Sequence, residues 1–220
     1  MVMFVTSDWH LKPGEEMPDM TSKYKGLIGV GDMLDLIPLG MKVWYTPEGE
    51  RTCRSVARNM KKITAGNHDP KRNLRKLFKH FNISDVQVED NFDINGWHIE
   101  HGHKLTEWWL LSIGADKVVE FMTGWNGTLR NWWYHFCIKK GWMPAKYMSD
   151  GVVKEYTESP YENVPLQIKT YWEICIFHAQ WLEKNLIVGH SHHSYYTKWA
   201  EFKVIDLGKK KVVHIDNPLD

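Results

Sequence analysis

Aspartates, histidines and one asparagine gather in five short polar clusters: Asp8-Trp9-His10, Gly31-Asp32, Gly66-Asn67-His68-Asp69, His101-Gly102-His103 and Gly189-His190-Ser191-His192. Carboxylates, an amide oxygen and imidazoles make up the mixed N/O donor set that first-row divalent metals select. Two such ions about 3.5–4 Å apart can clamp phosphoryl oxygens and lower the pKa of water enough to make it an in-line nucleophile near neutral pH. Mn²⁺ fits this donor set best, with Fe²⁺ or Zn²⁺ as alternatives, whereas Ca²⁺ and Mg²⁺ favour all-oxygen sites.

The types suggest roles. Asp32 stands alone on a glycine turn, and a carboxylate is the natural bridge between two ions. Asp8 and His10 are two apart, so an extended backbone would turn both to one side to hold one ion. Asn67 offers a neutral oxygen that limits the charge of the site, leaving His68 free for acid work with Asp69 as its partner. His190 and His192 can serve one ion each, and His101 and His103 both remain candidates for the fourth cluster.

Such clusters need strands to deliver them to one rim. Val2 to Val5, Leu27 to Val30 and Leu186 to Val188 are apolar runs of buried-strand length ending at a cluster. Lys61 to Thr64, Val86 to Val88 and Trp97 to Ile99 read as further strands. Helical spacing marks Arg51 to Asn59 and Lys71 to Phe81, the latter through Leu74, Leu77, Phe78 and Phe81. Tyr195 to Trp199, Phe202 to Asp206 and Val212 to Ile215 read as a closing antiparallel meander.

Residues 104–184 break this rhythm and hold eight of the 12 tryptophans, including the pairs Trp108-Trp109 and Trp132-Trp133. The stretch Gln167 to Lys184 puts Ile168, Tyr171, Trp172, Cys175, Ala179 and Leu182 on one helical face. The expected organisation is one domain over 1–220 carrying a mostly helical insertion at about 104–184. Most of its tryptophans are read as core, but adjacent residues cannot share one helical face. One member of each pair therefore faces the lower domain, solvent or a second copy in a homodimer.

The charge balance, Lys+Arg 28 against Asp+Glu 27, does not favour a general nucleic-acid binder. Three scattered cysteines, Cys53, Cys137 and Cys175, exclude a disulfide framework. With no long apolar run and no recognisable leader before Asp8, a cytoplasmic protein without a transmembrane segment is expected.

In order, the clusters resemble the D-x-H, G-D, G-N-H-[DE], H-G and G-H-x-H signature of the calcineurin-like metallophosphoesterase superfamily, over residues 1–104 and 186–216. The resemblance implies an α/β fold, a four-layer α/β/β/α sandwich with the insertion as cap or lid. It also implies a first metal held by Asp8, His10, Asp32 and His192, and a second held by Asp32, Asn67, His101 and His190. In the family the ligand of the fourth cluster is the histidine before the glycine, which is His101.

For substrate, the sequence lacks the arginines of the protein Ser/Thr phosphatase forms G-D-x-x-D-R-G and R-G-N-H-E. Gly31-Asp32-Met33-Leu34-Asp35-Leu36 and the position of the insertion are more similar to the UDP-2,3-diacylglucosamine hydrolase-like branch. That branch's H-G-D is replaced by His101-Gly102-His103. The leading expectation is hydrolysis of a phosphomonoester or phosphodiester of a small or nucleotide-like molecule by metal-activated water. Its rivals are a pyrophosphatase on a nucleotide-diphosphate lipid, a nuclease and a non-catalytic scaffold. Lys104, His103 and His193 are the candidates on the substrate side; Arg130, Lys139, Lys140 and Lys146 are read mainly as a solvated face.

Overall fold

The computed structural model describes residues 3–105, 164, 166–199 and 201–215. Trp108, Trp109, Trp125, Trp132, Trp133, Trp142, Cys137, Arg130, Lys139, Lys140 and Lys146 lie outside the described residues, and with them most of the expected insertion.

Alternation of side chains along short strands sets the layers. Strand β1 (Met3–Thr6) is flanked by β2 (Leu27–Val30), followed by β3 (Met60–Thr64) and β4 (Gln87–Glu89), all parallel, while β10 (Val212–Ile215) pairs antiparallel with the other edge of β1. A second sheet has the order β5 (Asn91–Ile94), β6 (Trp97–Glu100), β7 (Asn185–Val188), β9 (Phe202–Leu207), β8 (Ser194–Trp199). Met3, Val5, Ile28 and Val30 from the first sheet meet Trp97, Ile99, Ile187 and Leu207 from the second in a dry layer between them. The alternate positions face outward and are covered by helices, which gives the expected four layers.

On the outer face of the first sheet lie α2 (Pro47–Asn59) and α3 (Lys71–His80), preceded by the short α1 (Leu36–Leu39) and a 3₁₀ turn at Met41–Trp44. Thr46 caps α2, its hydroxyl accepting the Gly49 N–H at 3.2 Å; Pro47 and two first-turn glutamates complete the start. Gly29 lets the Met60 side chain approach closely, since a Cβ there would come within 2.7 Å of the Met60 sulfur. The outer face of the second sheet carries α4 (Leu166–Leu182), whose Tyr171, Trp172, Cys175 and Ala179 are buried against Leu186, Val188 and Val204. The indole of Trp172 stacks on Tyr195 at 4.2 Å between centroids.

One expectation is corrected and one strand is added. The last three strands are not a meander: β8 and β9 pair antiparallel, but the chain turns through Gly208 (φ 65°) and Lys210 (φ 55°) and β10 joins the first sheet. The Lys210 N–H bonds to the Ser7 carbonyl at 3.0 Å and pins this crossing. In addition, Asn91–Ile94 forms a hairpin with β6 about Asn95-Gly96, both at positive φ (51° and 77°). No described helix is long and apolar enough to cross a membrane.

Candidate metal centre

The loops after β1, β2 and β3 converge with those after β6 and β7 at one end of the seam between the sheets, bringing Asp8, His10, Asp32, Asn67, His68, His101, His190 and His192 together. Three groups of potential ligand atoms, each within 4.8 Å of one another, emerge: Asp8 with His10 and His192; His10 with Asp32 and His68; Asp32 with His101 and His190. Asp32 therefore shares a group with His10 on one side and with His101 and His190 on the other.

The backbone achieves this by left-handed turns. Asp8 (φ 56°), His10 (49°), Asp32 (51°), His190 (75°) and His192 (61°) all lie in a region that non-glycine residues rarely occupy. The extended segment expected to align Asp8 with His10 is thus replaced by two left-handed residues. The His10 and Leu11 N–H groups bond to the carbonyls of Asp32 and Met33 at 2.9 and 3.0 Å, tying the first two loops together. Glycines permit the crowding. A Cβ on Gly66 would lie 2.0 Å from Asp32 Oδ1, and one on Gly189 would lie 2.8 Å from Asp8 Oδ2.

Donor chemistry tests whether cations fit. His101 is buried; its Nδ1 lies 3.0 Å from the Val30 carbonyl, which only an N–H can satisfy, so Nε2 carries the lone pair of the neutral ring. That Nε2 faces Asn67 Oδ1 at 3.1 Å and Asp32 Oδ2 at 3.1 Å. Such converging acceptors fit a cation, and a proton on Nε2 satisfies them in its place. Asp8 Oδ1 is buried without a hydrogen-bond partner, 3.4 Å from His192 Nε2 and 3.9 Å from His10 Nε2. The residues present fit divalent metal binding around Asp32.

Electrostatics agree. Burial opposes charge on His101, yet Asp32 and Asp8 push its pKa up to about 10, so a proton is held where positive charge is demanded. Burial, with the His101 charge adding to it, holds His190 down at about 3. Burial also pulls His10 below its ordinary value, against Asp35 and Asp32. Both are therefore neutral near pH 7, the form that binds metal. For Asp8 and Asp32 burial works the other way, but His192 and His101 hold Asp8 below the usual carboxylate range and His101 does so for Asp32.

Other expected residues fall differently. Asp69 does not touch the His68 ring. Its buried carboxylate accepts N–H groups from Asp32 (3.0 Å), Met33 (2.7 Å), Leu34 (3.1 Å) and Gly66 (2.9 Å), which locks the second and third clusters together. Burial and the Asp32 charge push its pKa up while these donors pull it down, and two donors per oxygen match the ionised form. The partner of His68 is instead Asp35, whose Oδ1 lies 3.0 Å from His68 Nδ1 and 2.8 Å from His10 Nδ1. Asp35 was legible only as the second aspartate of Gly31-Asp32-Met33-Leu34-Asp35.

His103 joins none of the three groups, its ring standing 5.4 Å from His101 and 6.4 Å from His190. Lys104 points to Asp90, with Nζ 3.2 Å from Oδ1, rather than into the cluster. His193 lines a cleft of about 210 Å³ beside His192, together with Val164, Trp172, Ser194, Lys209 and Lys211. Sequence reasoning also passed over supports from the second sheet. Asp206 accepts the Trp172 indole N–H at 3.0 Å and binds the Ser191 hydroxyl, so α4 and β9 hold the loop between the two histidines. The Tyr171 hydroxyl donates to the Gly189 carbonyl at 2.9 Å and leaves space only for glycine at position 102.

No protein-family model matches the sequence, and no curated protein matches it. Solved structures do. Vps29 from Entamoeba histolytica complexed with Zn²⁺ matches over 95% of this chain and 74% of its own, at 10% identity and a TM-score of 0.39. An archaeal phosphodiesterase matches over 98% of this chain and 99% of its own, at 15% identity and a TM-score of 0.38. Values this low leave the chemical argument to the cluster itself.

Proposed function

We propose that this chain is a calcineurin-like metallophosphoesterase that hydrolyses a phosphomonoester or phosphodiester of a small or nucleotide-like substrate with two divalent ions. The observation that carries the reading is the shared position of Asp32, between His10 on one side and His101 with His190 on the other. Asp8, His10, Asp32 and His192 would hold one ion, and Asp32, Asn67, His101 and His190 the second. Bound there, a pair of Mn²⁺, Fe²⁺ or Zn²⁺ ions supplies charge that polarises a phosphoryl group and acidifies water.

The chain's own side chains do the rest. Asp35 fixes Nδ1 of His10 and of His68, which leaves Nε2 of each ring for work. The side chain of His68 is 30% exposed, against 0% for His101, and it can pass a proton to a leaving oxygen at the mouth of the site. In the cleft beside His192, Lys209 offers positive charge and His193 a ring nitrogen to an anionic substrate.

The test is turnover by the Mn²⁺-loaded protein on a chromogenic monoester, a chromogenic diester, a UDP-linked lipid and single-stranded DNA. Activity on the first or second, lost in Asp32→Ala together with metal, supports the proposal. Activity on the lipid alone or DNA alone would replace the substrate class, and inactivity on all four would favour a scaffold. His68→Ala is expected to lower turnover at near-normal metal content.

A further inference from the structure

We propose that His98, Glu100 and His178 form a separate mononuclear zinc site where α4 crosses β6, distinct from the cluster at the seam. Strand parity creates it: Trp97 and Ile99 point into the layer between the sheets, so His98 and Glu100 point to the outer face, beneath α4. A helix covering a sheet ordinarily meets apolar side chains, as α4 does over Leu186, Val188 and Val204. Over β6 it instead meets a histidine and a glutamate, and presents His178 to them. The side chains of His98, Glu100 and His178 are only 10%, 12% and 13% exposed.

Burying three such groups costs free energy unless each is satisfied. They approach one another without completing a hydrogen-bond network. His178 Nε2 stands 3.2 Å from Glu100 Oε1 and His98 Nε2 stands 3.9 Å from Glu100 Oε2, yet Glu100 Oε1 and His178 Nδ1 are buried without a hydrogen-bond partner. His98 Nδ1 lies 2.8 Å from Asp93 Oδ1, so in the neutral ring the N–H is used there and the Nε2 lone pair is left for a ligand. This carboxylate–imidazole pairing is the arrangement that orients a metal-binding histidine. Asp93 is itself held by Lys184, with Nζ 2.9 Å from Oδ2.

The spacing suits tetrahedral zinc. Bonds of about 2.0–2.1 Å put ligand atoms roughly 3.3–3.4 Å apart, and all three potential ligands already lie within 4.8 Å of one another. Two histidines and one glutamate are a known zinc donor set, with water in the fourth position. An ion here would staple α4 to the strand that leads into His101, stiffening the second sheet without taking part in chemistry at the seam.

The experiment strips the full chain with chelator, adds Zn²⁺ and measures bound metal after gel filtration, alongside the thermal midpoint. It uses an Asp8→Asn/Asp32→Asn background that removes both carboxylates of the seam cluster, and counts the Zn²⁺ lost on a further substitution, so the result does not depend on the proposed activity. Zn²⁺ content is expected to fall by one equivalent, and the Zn²⁺-dependent rise in midpoint to shrink, when His178→Ala or Glu100→Gln is added. Co²⁺ in place of Zn²⁺ should give the intense visible bands of tetrahedral coordination. Unchanged Zn²⁺ content on adding either substitution, or a folded background that retains no Zn²⁺, would overturn the proposal.

Discussion

The Nε2 atoms of His10 and His192 face each other at 3.1 Å although the residues are 182 apart in sequence. With His10 Nδ1 engaged by Asp35, the Nε2 of a neutral His10 ring carries a lone pair, which the His192 ring meets as an N–H donor or, with a cation between the two, as a second ligand. The proposed first ion would occupy the second arrangement. We expect His192→Ala to remove one of the two ions at the seam, weakening its affinity more than about 100-fold, because a direct ligand matters at least as much as an outer partner. Metal content and the Mn²⁺ dependence of the thermal midpoint check this; full retention of both ions would exclude His192 as a ligand.

Asp35 reaches both His10 and His68, so its loss should act on metal and on proton transfer at once. Asp35→Asn keeps the shape but removes the charge. Turnover is expected to fall about 10–100-fold, with the pH dependence of kcat displaced, while circular dichroism stays native. An unchanged pH profile would mean that Asp35 orients the rings without tuning them.

The carboxylate of Asp69 is a structural knot. Asp69→Ala strands the N–H groups of Asp32, Met33, Leu34 and Gly66 in a buried loop. At about 1–3 kcal/mol for each unsatisfied group, a loss of at least about 3 kcal/mol is expected even if water rescues some of them. Urea unfolding of the metal-free protein measures it, and a loss below about 1 kcal/mol would show that the loop relaxes without Asp69.

Burial pushes the Cys53 thiol up to about 12, so the folded chain keeps this proton where the unfolded chain begins to release it. Above about pH 9 the unfolded state binds fewer protons, and stability must fall as pH rises, by up to about 1.4 kcal/mol per pH unit from this group. Below that range the group contributes no pH dependence. Unfolding midpoints at pH 8 and pH 10 should separate, and Cys53→Ala should reduce the separation whatever it does to absolute stability. Cys53 should also resist thiol reagents until denaturant is added.

The β1, β2 and β7 runs and α4 were readable because buried strands are short apolar runs and a buried helical face recurs every three to four residues. The hairpin at Asn91–Ile94 escaped because its strand is polar on one side, although Asn95-Gly96 advertised the turn. The crossing of β10 to the first sheet was hidden for another reason. Partner choice among antiparallel strands depends on contacts distant in sequence, here the Lys210 N–H with the Ser7 carbonyl. At the site, residue types and order marked the cluster, but not that Asp69 faces the backbone while Asp35 faces the histidines. Both are aspartates near glycine turns, and which way each points is set by partners distant in sequence.

Asp8, Asp32 and Asn67 follow strands of one sheet, whereas His101, His190 and His192 follow strands of the other. Neither sheet alone can assemble the constellation. Any slip of one layer over the other would change the distance between the two halves of each ligand set before it exposed much of the core. Metal release should therefore be an early reporter of loosening between the layers, and occupancy of the seam a clamp whose grip rises and falls with their alignment.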